Sequence, residues 1–80
     1  SKVHSKILNL YTVESNISKK LGLIQNKHKR FVSIGSYPFF RLGKIGVSLV
    51  MRSTSLAKLK IVNKELSNFV NFKKIKILKI

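Results

Sequence analysis

Residues 33–46 read SIGSYPFFRLGKIG and hold three of the chain's four glycines and its only proline. The tetrapeptide Gly43-Lys44-Ile45-Gly46 has the spacing of a loop in which two glycines let the backbone approach nucleotide phosphates while a basic residue between them faces the anion. It equally suits the bend of a β-hairpin, with Gly43 supplying a positive φ and Gly46 a tight strand entry. A phosphate-gripping loop of the KH type joins two helices. Strand-like residues flank this one on both sides, which favours the hairpin. Just upstream, Phe39 and Phe40 adjoin Arg41. An aromatic beside a cation serves nucleotide binding in some proteins and more commonly covers a core edge or a partner surface. Ser36, Tyr37, Pro38, Phe39, Phe40 and Arg41 are therefore candidates for an interface or a ligand.

Other chemistry is scarce. The chain has no aspartate and no cysteine, and its two carboxylates, Glu14 and Glu65, are far apart in sequence. Neither a general acid/base carboxylate pair nor a Ser-His-Asp triad can be assembled. Thiolate metal sites and cysteine nucleophiles are excluded. His4 and His28 have no partner at ligand spacing and read as solvated side chains. No catalytic, cofactor-binding or metal-binding residue is assigned, and an enzyme is not expected.

Charge points outward instead. The 17 lysines and arginines against 2 glutamates give a net charge of +15. Abundant Lys, Ile and Asn suggest AT-rich coding, but glutamate codons are AT-rich too, so the scarcity of acid stands unexplained by codon usage. Such a surface attracts phosphates by counterion release. Nucleic acid, an acidic lipid surface or an acidic neighbouring domain would each suit it. No apolar run approaches the roughly 18–20 residues of a membrane span, and the expectation is a soluble, cytoplasmic chain. It starts at Ser1 without a methionine and ends on an apolar run, so the expectation is a piece of a longer protein or a trimmed product.

The elements that must position these residues follow from periodicity. Lys6 to Val13 reads as a first strand. Glu14-Ser15-Asn16 offers a cap and a carboxylate at a helix start, and Ile17, Leu21 and Ile24 recur at helical spacing, giving a helix from about Ser15 to His28. Phe31 to Ser36 and Gly46 to Ser53 form strands two and three, the latter with Val47, Leu49 and Met51 on one side. Thr54 or Ser53 can cap a second helix of roughly Ser55 to Asn71, striped by Leu59, Val62, Leu66 and Phe69. Lys73 to Ile80 closes as a fourth strand.

The order β-α-β-β-α-β predicts an α+β, ferredoxin-like split sandwich: one domain, residues 1–80, with a four-stranded antiparallel sheet and two helices on one of its faces. Strands one and three are central. Pro38, lacking a ladder donor, fits an edge strand, and the lysines of strand four guard the other edge. RNA-recognition motifs share this order and stack bases on sheet-surface aromatics. Strand three offers Val, Leu and Met in their place, leaving Tyr11 as the sole plausible stacking ring. As a free-standing nucleic-acid module the chain would use Arg41, Lys44, Arg52 and Lys58 of the second helix on phosphates.

Residues 33–54, SIGSYPFFRLGKIGVSLVMRST, resemble the segment that follows the molybdopterin-binding-like domain in the competence- and damage-inducible protein A (CinA-like) family. Ile34 to Arg41 and Gly46 to Ser53 match its pattern, with Met51 for a leucine. VESNISKKLGLIQ resembles its acidic-start helix, and eukaryotic FAD synthases carry a looser version. The resemblance implies an accessory segment, described as KH-like in some members, that connects larger domains. Pyrophosphatase action on FAD-like or ADP-ribose-like dinucleotides belongs to the preceding, nucleotide- or pterin-binding domain of that family. The expected partner is that domain or a second copy of the chain. Where the family opens its second helix with Asp, this sequence has Ser55.

Overall fold

The computed structural model describes residues 2–78. Along the chain come β1 (His4–Tyr11), a 3-10 turn (Glu14–Asn16), α1 (Ser18–His28), β2 (Ser33–Arg41), β3 (Lys44–Ser53), α2 (Leu56–Phe72) and β4 (Lys76–Ile77). The strands form one antiparallel sheet in the order β2-β3-β1-β4. This is the expected ferredoxin-like arrangement, with β1 and β3 central and Pro38 on the edge strand β2.

One face of the sheet is apolar because every second residue of the strands is. The register sets Ile34 beside Met51, Leu8 beside Leu49 and Leu10 beside Val47. Ile17, Leu21 and Ile24 near and within α1 cover this face together with Leu59, Val62, Leu66 and Val70 of α2. Full burial of a side chain of this size contributes about 1.5–3 kcal/mol. Truncating a wholly buried one such as Met51 to alanine costs about 2–5 kcal/mol, because a cavity replaces it.

The helix starts differ from the expected ones. Glu14-Ser15-Asn16 forms a separate 3-10 turn, and no side chain caps it or α1. The Glu14 carboxylate instead accepts a hydrogen bond from Ser36 Oγ at 3.2 Å. In the second helix the cap is Ser55, whose side chain accepts from the Lys58 N–H at 3.3 Å. Neither Thr54 nor Ser53 does so. Ser53 braces the entry from behind, accepting from the Ser55 N–H and donating to the Phe31 carbonyl at 2.6 Å. Serine thus does at position 55 the capping that an aspartate would do.

Strand boundaries also move: β1 lies at His4–Tyr11 rather than Lys6–Val13, and β2 starts at Ser33 rather than Phe31. β2 continues past Ser36 through Pro38 to Arg41, and β3 begins at Lys44. Pro38 does not stop β2 because an edge strand pairs on one side only. At the carboxyl end, β4 is confined to Lys76–Ile77 among the described residues, and Lys79 and Ile80 of the expected strand lie outside them. Its late start has a local cause. Lys74 takes a left-handed φ of 57°, and the Ile75 and Lys74 N–H groups return to the Val70 and Asn71 carbonyls. That hydrogen-bond pair is the Schellman closure of a helix.

Candidate functional site

The hairpin turn is only Leu42-Gly43, with φ values of 54° and 74°. Two positive φ angles in a two-residue loop make it a type I′ turn, the kind whose twist matches the flanking strands. Gly43 supplies one of them, as expected. Gly46 does not mark the strand entry; it lies inside β3, opposite Phe39. Since β1 ends at Tyr11, the last pairs of β2 and β3, Phe40 with Ile45 and Arg41 with Lys44, have no third strand beside them among the described residues. The hairpin therefore projects beyond the sheet as a short two-stranded arm.

Strand alternation divides the candidate residues into two sets. Ser36, Pro38 and Phe40 pair with Leu49, Val47 and Ile45 on the face that carries the helices. Ser36 is tied to Glu14 there. Farther out the helices no longer cover the sheet, and Phe40 and Ile45 are 72% and 55% exposed. Leu42, at the tip, is 83% exposed. Tyr37, Phe39 and Arg41 belong to the opposite, open face.

On that open face both β2 aromatics rest on glycines. The end of the Phe39 ring occupies the space that a side chain at Gly46 would fill. Tyr37 folds back over Gly35, where a Cβ would stand 2.9 Å from its hydroxyl. Phe39 meets Tyr11 of β1, the ring centroids 6.2 Å apart and the planes tilted by 59°. The Lys44 ammonium stands 5.3 Å from the centre of the Tyr11 ring, within cation–π range. Tyr11 is consequently not the sole ring on this surface. A β2 that stops at Ser36 leaves the candidates Tyr37 and Phe39 off the sheet surface that Tyr11 occupies, and their alternate spacing is the signal that places them on it. Beside the rings, Asn9, Phe39, Phe40, Arg41, Ser48 and Leu78 line a shallow depression of about 290 Å³.

Arg52 and Lys76 share the open face with Arg41 and Lys44, because they pair with Ser5 and Tyr11 at the outward positions of β1. Lys58 does not join them. It sits in α2, its ammonium 5.0 Å from the centre of the Phe31 ring.

Both carboxylates are engaged on the helix side. Glu65 of α2 accepts from Lys27 Nζ at 3.3 Å and lies 2.7 Å from His28 Nε2, so it ties the end of α1 to α2. His28 is thus a clamp residue rather than a solvated one. Partial burial works to raise the Glu65 carboxyl, but the hydrogen bonds and charges of His28 and Lys27 together hold it below the ordinary carboxylate value. Glu14 is held by Ser36. Among the described residues no three His, Cys, Asp or Glu side chains gather where they could hold a metal ion, and no helix is long and apolar enough to cross a membrane.

The family model of the FAD synthase middle domain matches residues 2–78, the same stretch that forms this sandwich. The chain belongs to that family. No curated protein gives a significant match. Of the two resemblances carried by SIGSYPFFR and GVSLVMRS, the match supports the one to FAD synthases. In this middle domain the SYPFFR segment is accordingly half of a projecting hairpin, with one apolar side and one aromatic, cationic side.

Proposed function

We propose that the chain is a non-catalytic accessory domain of an FAD synthase-like or CinA-like protein, and that it docks on the nucleotide- or pterin-binding domain of that protein through the helix-side surface of its hairpin arm. The observation that carries this reading is Leu42. A leucine at positive φ loses on the order of 1 kcal/mol relative to glycine or asparagine, and here it also exposes most of its apolar surface. Pro38, Phe40 and Ile45 continue that surface along the arm. Strain and apolar exposure in the same few residues are what a covered interface would explain. The family description supports the partner, since a domain in the middle of a longer protein has neighbours to pack against.

Isothermal titration of the 80-residue chain into the separately prepared molybdopterin-binding-like domain of an FAD synthase tests this. Binding is expected, and Phe40→Ser with Leu42→Asn is expected to weaken it at least about tenfold, as the loss of two central apolar contacts does. Absence of binding, or binding indifferent to the two substitutions, overturns the reading. Self-association abolished by the same pair would replace the neighbouring domain with a second copy.

A further inference from the structure

The open face of the sheet is unlike the arm's apolar side. It carries Tyr11, Tyr37 and Phe39, it carries Arg41, Lys44, Arg52 and Lys76, and neither of the chain's two glutamates lies on it, because Ser36 holds Glu14 and His28 and Lys27 hold Glu65 on the helix side. We propose that this face binds single-stranded nucleic acid, with bases stacking on Tyr37, Phe39 and Tyr11 and phosphates paired to the four cations.

Three observations converge on that ligand. First, two of the rings pack against glycines of the sheet. Gly46 and Gly35 leave room for Phe39 and Tyr37 to fold down on the backbone, and Tyr37 keeps 56% of its surface exposed. A ring so placed offers a π surface to a base, and stacking of this kind tolerates any sequence. Second, three of the cations lie beside the rings, and Arg52 lies toward the other end of the same face, opposite Ser5 and Ser33. Arg41 and Lys44 face each other across the arm, Lys76 is opposite Tyr11, and Lys44 already lies over the Tyr11 ring. Third, among the described residues the charged side chains of this face are all cationic. An acidic protein surface would satisfy the cations but would leave the rings without a matching partner, whereas a single strand alternates phosphate and base at a spacing that uses both.

The same three features explain why the glycines are where they are. Gly43-Lys44-Ile45-Gly46 does not wrap a phosphate as a loop. Gly46 supplies the floor under Phe39, and Lys44, two positions earlier on the same face, supplies the charge.

This inference concerns the side of the sheet away from the helices and stands independently of the docking surface. The chain is its own reporter, because it has two tyrosines and no tryptophan and both tyrosines are on the open face. A single-stranded RNA oligonucleotide of about ten residues is titrated into the 80-residue chain, following fluorescence anisotropy of the labelled RNA and intrinsic tyrosine emission in parallel. Inorganic polyphosphate serves as the control anion without bases. Binding with quenched tyrosine emission is expected for RNA, and polyphosphate binds without the quenching. Four phosphate contacts on a single strand give a logarithmic salt slope of about −2.8, so a roughly fourfold rise in salt lowers affinity about fiftyfold. Lys44→Glu with Arg52→Glu, both exposed, should abolish binding, while Lys58→Glu, on the helix side, should reduce it far less. Absence of binding at low salt overturns the proposal. So does binding without tyrosine quenching, which would be charge attraction only, and so does an equal effect of Lys58→Glu. The same outcomes would leave an acidic protein surface as the alternative partner of this face.

Discussion

Gly46 shows how much a single residue can decide in this fold. A Cβ there would meet both the Phe39 ring and the Leu10 carbonyl oxygen, the latter at 2.7 Å. The ring belongs to a partly exposed side chain and can swing away, but the carbonyl is part of the central strand. Gly46→Ala is therefore expected to destabilise the domain by about 1–3 kcal/mol, as overpacking does, and urea denaturation will measure it. Adding Phe39→Ala should relieve only part of the loss; full rescue would mean that the backbone contact is harmless. Residue-level legibility was uneven. Gly43 could be placed at the bend because two-residue turns need positive φ. Leu42 and Lys74 could not, since nothing in a leucine or a lysine announces a left-handed backbone, and both are held there by the closure of a turn or a helix end.

At the scale of elements, the Glu65 clamp links the two helices across the top of the core. Its carboxyl is held below the ordinary value of 4.5 in the folded chain, so the unfolded chain binds the proton more readily. The contribution is fully present above about pH 4.5 and disappears as pH falls through the lower, folded value. Because the pair is partly solvated, it amounts to at most about 1 kcal/mol. Glu65→Gln is expected to lower the urea midpoint at pH 7, with a deficit that shrinks as pH falls below about 4.5; a deficit independent of pH would exclude the ionic origin. The helices themselves were legible because their apolar residues repeat every three to four positions, and the buried stripe Leu59, Val62, Leu66 differs from expectation only in ending on Val70, with Phe69 half-buried beside it. The strands were less so. Pro38 and two adjacent phenylalanines break the period-two pattern after Ser36, which hides that Tyr37 and Phe39 share a sheet face with Tyr11. His28 looked solvated because its partner is 37 residues away in sequence.

For the whole molecule, the element order was enough to reach the sheet order, since right-handed crossovers leave few alternatives. What it could not reach was the difference between the two sides of one hairpin, one apolar and one aromatic and cationic, which depends on register and on where β1 stops. The two-residue turn that joins β2 to β3 also has a meaning in time. Its pairs close locally, from Arg41 with Lys44 outward, whereas β1 must find β3 across most of the chain, from Leu10 with Val47 to His4 with Ser53. Hairpins form in about 1–10 μs, and long-range pairing is slower because loop closure precedes any reward. Leu42→Asn, which suits the turn better, should then speed refolding if the hairpin is part of the nucleus, with little change in the unfolding rate. Stopped-flow chevrons would show it as a shift of the folding limb alone. On that account the exposed leucine at the tip slows the chain's own assembly, and the apolar surface of the arm comes at the expense of folding speed.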